Sequence, residues 1–223
     1  MSSAPAYAAG LERLKYRWSL EGGLAWIARI AFPSSGTGTL ETREGSSVTS
    51  RLTLGSKGGS AYYASSMAPG GIRTFTSEDG YSWNNRYEQH RVQFDYEGRV
   101  ARVEKRSDDH GVKQKVRALE SDTAQDVLTS IYYLRQNAAS IKSRHTSTVY
   151  SAGKGYLFSF TPSPLTTLRV GGQDVPVRPF TIAPADGQKK GAVKVWLAED
   201  VERTPVRIEI QQSYGTLRLE LAT

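Results

Sequence analysis

Apolar and polar residues alternate with a period of two through most of this chain, and one stretch departs from that pattern. Leu14, Tyr16, Trp18 and Leu20 alternate with Lys15, Arg17 and Ser19. Near the other end the same pattern recurs in Val193, Val195 and Leu197, in Val206, Ile208 and Ile210, and in Leu217, Leu219 and Leu221. Successive strand side chains point to opposite faces, so the pattern specifies strands with one buried and one solvated face. Short Gly-containing turns between them imply an antiparallel meander. A sheet of so many strands must curl or close to hide its edges. The fold expected is mainly β: a large curved antiparallel barrel, half-barrel or sandwich.

The departure is Ser121–Asn137, the one helix that the sequence specifies. Val127, Ile131, Leu134 and Ala138 recur at helical spacing, with Ala124 and Leu128 widening the stripe. Asp122 is the expected cap, with Gln125 completing a capping box, so the helix is expected over about 122–137. Asn137 is the expected stop, and Arg135 suits the negative end of the helix dipole. An amphipathic helix between two β regions is expected to cover or plug the concave side of the sheet.

Several boundaries follow from turn chemistry. Glu44-Gly45, Asp79-Gly80 and Glu97-Gly98 read as hairpin turns because Gly accepts positive φ without steric cost. Leu24–Phe32 is apolar at nearly every position and reads as a covered strand. Val175–Ile182 reads as an edge or irregular strand, because Pro176 and Pro179 cannot donate to a ladder. Met1–Gly10, rich in Ser, Ala and Pro, reads as a disordered leader lacking the apolar core of a signal peptide. Residues 11–223 are then expected to form a single β-rich domain. No stretch is long and apolar enough to cross a membrane as a helix.

The chain has no cysteine, which excludes disulfide and thiolate-metal frameworks. Its formal charge of +7 raises the question of an anionic partner. Most Lys and Arg, however, alternate with apolar residues as on a solvated sheet face. Only Arg99–Arg117 carries a local excess, seven basic residues against Glu104, Asp108 and Asp109. Nucleic acid therefore ranks low among the expected partners. No nucleophile elbow, Walker loop or dinucleotide fingerprint occurs, and His90, His110 and His145 are far apart in sequence. No catalytic residues, metal ligands or cofactors are assigned.

Candidate contact residues are aromatic, with the exception of Arg135. Trp83 stands in the polar run Ser82-Trp83-Asn84-Asn85, which suits stacking on a sugar or contact with a partner. Trp26, Tyr132, Tyr133, Arg135 and Trp196 complete the set of candidate ligand-binding residues. Tyr132 and Tyr133 point to different sides of the helix, about 100° apart. Asp200 and Arg203 are expected to pair across the charged turn between Leu197 and Pro205.

Three segments together resemble a family. Leu128-Thr129-Ser130-Ile131-Tyr132-Tyr133-Leu134-Arg135 is similar to the helix motif of the bacterial exported proteins grouped as domain of unknown function 3108. Val195–Ile208, a Trp-Leu followed by an acidic turn, Arg and Pro-Val, resembles the family's later motif. Leu14-Lys15-Tyr16-Arg17-Trp18 is similar to its opening strand. Order and separation match over roughly Leu11–Leu221, while the bulky Leu24-Ala25-Trp26-Ile27 departs from the small-residue strand usual there. The resemblance implies an exported, β-rich protein of the periplasm or cell envelope and no established activity.

The leading expectation is a non-enzymatic envelope protein whose concave sheet binds a lipid-like or other amphipathic ligand. The alternative is a protein- or glycan-interaction module, with an envelope protein as partner, that uses exposed aromatics and the basic stretch. A hydrolase ranks below both, because it requires carboxylates or histidines to converge in one cleft.

Overall fold

The computed structural model describes residues 10–22, 34–83, 86–151, 154–187, 191–212 and 215–222. The expected leader, the expected strand Leu24–Phe32 and Trp26 lie largely or wholly outside these residues. The N-terminal part of the sheet comprises β1 (Leu11–Glu21), β2 (Ser35–Arg43), β3 (Val48–Ser56), β4 (Gly59–Met67), β5 (Thr74–Trp83), β6 (Arg86–Asp95), β7 (Val100–Ser107) and β8 (Gly111–Ala118). One helix, α1 (Val127–Asn137), follows. After it come β9 (His145–Ser151), β10 (Lys154–Pro162), β11 (Thr166–Val170), β12 (Gln173–Pro184), β13 (Val193–Ala198), β14 (Pro205–Gln212) and β15 (Gly215–Leu221).

All the strands join one antiparallel sheet in the order β8-β7-β6-β5-β4-β3-β2-β1-β15-β14-β13-β12-β10-β9, with β11 pairing with β12. The sheet is open, yet it curls almost onto itself. Phe94 on β6 and Tyr150 on β9 are separated by ten strands in that order, so a flat sheet would hold them about 50 Å apart. Their ring centroids are 5.3 Å apart, edge to face. Val149 belongs to the main core, whereas its neighbour Tyr150 packs with Phe94 and Ala101 in a separate cluster. The inner face of β6 and β7 thus lies over the outer face of β9. The sheet is a spiral whose N-terminal strands overlap its C-terminal edge.

The segment preceding α1 stitches that overlap. Thr74 N–H donates to Ala124 C=O (2.8 Å), Gln125 N–H to Thr148 C=O (3.2 Å) and Tyr150 N–H to Gln125 C=O (2.6 Å). The Gln125 side chain donates from Nε2 to Gly71 C=O (2.8 Å). These bonds hold Ala124 and Gln125 extended, so the helix begins a turn later than the sequence pattern suggests. Asp126, not Asp122, is the cap: its Oδ1 accepts from Thr129 N–H (2.8 Å) and its Oδ2 from Ser65 Oγ–H. Burial pushes the Asp126 carboxyl above the usual carboxylate range. Gln125 makes no capping box, and Asp122 lies outside the helix near Arg99 (3.5 Å).

The helix is buried on most of its circumference, because it lies inside the curl. Leu128, Ile131, Leu134 and Ala138 join Tyr16, Leu40, Leu52, Phe160, Phe180, Val195 and Leu219 in one core spanning both halves of the sheet. Tyr16 also donates its hydroxyl to Pro205 C=O (2.6 Å) inside this core.

Two boundary expectations are corrected. Asp79-Gly80 is no turn: β5 runs through it, and the Tyr62 ring lies against Gly80. A Cβ there would stand 2.9 Å from Tyr62 Cε1. β12 is likewise no edge strand, since β13 flanks it on one side and β10 and β11 share the other. Ser163 N–H donates to Pro179 C=O (2.8 Å) and Glu199 N–H to Pro176 C=O (3.0 Å). In an antiparallel ladder a residue's N–H and C=O point the same way. The missing N–H of Pro179 therefore falls between the β10 and β11 ladders, and that of Pro176 at the end of the β13 ladder.

Candidate functional site

The candidate residues picked from sequence do not converge. Tyr132 is buried beside Val48 and Met67 and donates its hydroxyl to Glu44 Oε1 (2.6 Å). Tyr133 faces the other way, 6.2 Å from Phe160 and 5.9 Å from His145 between ring centroids. Arg135 is buried and clamps Glu12 through two bonds of 2.6 and 2.7 Å, while also donating to Glu202 C=O. Trp196 belongs to a second small core with Val170, Val177 and Val206. The Lys194 and Arg207 cations lie 4.6 and 5.5 Å from its ring centre. Trp83 is no exposed stacking platform: it is 8% exposed, with its ring against Gly59. Trp26 is not among the described residues.

The turn pair also changes partners. Arg203 Nη1 meets Glu199 Oε2 at 2.8 Å, and Arg178 Nε approaches the other oxygen at 3.4 Å. Asp200 instead accepts from Thr204 N–H (2.9 Å), as an Asx-type turn residue does. Contact with Arg203 holds the Glu199 carboxyl below its ordinary value.

A constellation that the sequence reading missed lies on the inner face of β4–β7. Residues directly opposite one another on antiparallel strands share a face. Leu52, Tyr63, Asp79, His90 and Lys105 are therefore one row across β3–β7, beginning in the core and ending in charge. Ala61, Tyr81, Glu88 and Ser107 form the row beside it. His90 Nδ1 lies 3.1 Å from Asp79 Oδ2, and Nε2 lies 3.3 Å from Glu88 Oε1. Lys105 Nζ meets the other Glu88 oxygen at 2.7 Å. These side chains are neither buried nor free, at 43% exposure for Asp79, 22% for His90, 25% for Glu88 and 36% for Lys105. Tyr81, beside them, is 38% exposed. The inner face is thus apolar and filled at β1–β3, polar and part-exposed around Asp79, His90, Glu88 and Lys105, and covered at the other end of β6 and β7, where Val92, Phe94 and Ala101 pack with Tyr150.

Two carboxylates and two basic groups in one chain can hold a head group that carries both signs. Both imidazole nitrogens of His90 face carboxylates, so neither is free to take a substrate proton. Among the described residues no group of three or more His, Asp or Glu is placed to hold a metal ion. The hydrogen bond to Asp79 raises His90 above its ordinary 6.5, with burial opposing it. A group raised on folding contributes stability that is complete below its unfolded pKa and is lost as pH rises through the folded one. The His90 contribution to unfolding free energy therefore slopes downward from pH 6 to pH 8.5, by less than about 1 kcal/mol, while His145, which burial lowers, contributes with the opposite sign. His90→Gln should flatten that slope in denaturant titrations at the two pH values. An unchanged slope would mean that His90 is not held by its carboxylates.

On the outer face, a shallow groove of about 330 Å³ runs over Ala64 and Ser66 between Arg43, Arg51, Glu41 and Glu78. Its lining includes no histidine.

The fold has a counterpart among solved structures. The crystal structure of a beta-barrel-like protein of domain of unknown function DUF1849 from Brucella abortus matches with a TM-score of 0.56 and 10% identity, covering 96% of each chain. At that identity the likeness is one of fold. Among curated proteins, none matches the chain. Residues 25–222 match the family described as "Protein of unknown function (DUF3108)", and the chain belongs to that family.

Proposed function

We propose that the protein is a non-enzymatic component of the cell envelope that holds an amphipathic, lipid-like ligand on the part-exposed inner face of β4–β7. The observation that carries this reading is the gradient along that face. Tyr63 lies against the apolar core, Tyr81 is partly exposed next to it, and the Asp79–His90–Glu88–Lys105 chain follows at hydrogen-bonding distances. A hydrocarbon chain lies along the aromatic end, and a zwitterionic head group exchanges with the paired charges at the other. Ligand sites of this kind combine an apolar lining with a few convergent polar groups. The absence of a free base or nucleophile in the constellation favours binding over turnover.

Native mass spectrometry of protein exported to the periplasm and purified without detergent tests the reading. A lipid-mass adduct that disappears on organic extraction is expected. A bare chain mass, with no adduct regained on adding lysophosphatidylethanolamine, would sink it.

A further inference from the structure

The basic stretch Arg99–Arg117 divides sharply in the folded chain. Arg99 pairs with Asp122, Arg102 with Asp95, Lys105 with Glu88 and Arg106 with Glu104. The remaining three, Lys113, Lys115 and Arg117, form no ion pair among the described residues, and all lie on β8. That strand ends the sheet and is exposed at all eight positions, including Val112 at 58% and Val116 at 63%. Lys113, Lys115 and Arg117 share one face, since they stand opposite Lys105, Val103 and Ala101. Val112 and Val116 share the other face with Gln114, which is bonded to Glu104 (2.9 Å).

The ladder fixes which backbone groups are free. Leu119 N–H donates to Arg99 C=O (2.8 Å), so odd-numbered residues of this strand turn toward β7. Val112, Gln114 and Val116 therefore present N–H and C=O to the open edge. We propose that β8 is a docking edge for an extended, acidic segment of a partner protein, which adds to the sheet as a strand. Acidic side chains at every second position of that segment lie beside Lys113, Lys115 and Arg117, and apolar ones between them cover Val112 and Val116. Charge selects this occupant over a second copy of the chain. Antiparallel pairing of two β8 strands sets three cations against three cations, the means by which edges repel their own kind.

The probe is a fluorescein-labelled peptide of about ten residues, alternating Glu and Val and matched to ordinary strand length. A shuffled peptide of the same composition and an alternating Lys and Val peptide are the controls. Fluorescence anisotropy with the full chain should give saturable binding of the alternating acidic peptide alone, weakening steeply as salt rises. Val116→Pro removes an edge-facing N–H while sparing the β7 ladder, which edge strands tolerate. It should weaken binding at least about tenfold without moving the thermal midpoint. Joint Lys113→Glu, Lys115→Glu and Arg117→Glu should abolish binding and admit the basic peptide. Equal binding of the shuffled peptide, indifference to Val116→Pro, no saturable binding, or a β8-dependent dimer in sedimentation would each overturn the proposal. Val116→Pro, which changes no side chain on the face of Lys105, separates this test from the amphiphile site.

Discussion

Arg135→Ala is expected to lower the free energy of unfolding by about 3–5 kcal/mol, the cost of removing one partner of a buried ion pair. The Arg135 side chain is only 7% exposed and bonds both oxygens of Glu12 on β1, together with the carbonyl of Glu202 between β13 and β14. One guanidinium on α1 thus joins the helix to two separate parts of the sheet. Burial alone would pull this group down, but Glu12 outweighs it and holds the guanidinium above its ordinary value. Removing Arg135 leaves the part-exposed Glu12 carboxylate and the Glu202 carbonyl without their donor. Glu12→Gln should cost less, because an amide still accepts from Arg135. In a double-mutant cycle the two losses should be strongly non-additive. Denaturant unfolding measures all three variants. Additive losses, or an Arg135→Ala loss below about 1 kcal/mol, would show that the clamp contributes little.

Gly71→Ala is the second large effect, expected at about 2–4 kcal/mol, because two costs fall on one atom. Gly71 has φ of +69°, a conformation that side chains with a Cβ adopt at a cost. Its Cβ would also stand 2.8 Å from Tyr133 N and 3.1 Å from Thr129 O. Both obstacles are backbone atoms of α1, so no side-chain rotation relieves them. The helix must move away, loosening the bond from Gln125 Nε2 to Gly71 C=O and the overlap that it stitches. The nearby Gly70 has φ of +80° but no neighbouring atom within 4 Å of its Cβ position. Gly70→Ala therefore carries the conformational cost alone and should lose about 1 kcal/mol. Equal losses at the two positions would remove the helix contact as the cause.

The alternation of Leu14–Leu20 and of the last three strands was enough to place those strands and their buried faces. The helix was legible from Val127, Ile131 and Leu134, but its start was not. The bonds that hold Ala124 and Gln125 extended come from β5 and β9, strands far apart in the chain, and local cap chemistry carries no trace of them. The same limitation hid the candidate site. Asp79-Gly80 has the composition of a turn, and a turn there takes Asp79 out of register with His90. Once β5 is continued to Trp83, the register alone sets Asp79 opposite His90 and His90 opposite Lys105. Trp83 misled in the opposite direction, because its polar neighbours suggested exposure while Gly59 across the ladder made room for its ring. The family, by contrast, was legible from two short motifs within the matched residues 25–222, since each encodes a feature of this fold: the helix with its Arg135 clamp, and the Glu199–Arg203 turn.

Isothermal titration with lysophosphatidylethanolamine, below its micelle-forming concentration, tests the proposed function most directly. The chain should bind it saturably. Tyr81→Asp, which sets a charge at the apolar end, and Lys105→Ala, which removes a head-group contact, should each weaken binding at least about tenfold while remaining folded. Saturable binding that both variants retain at full strength, or no saturable binding by the folded wild-type chain, would contradict a ligand site on the inner face of β4–β7.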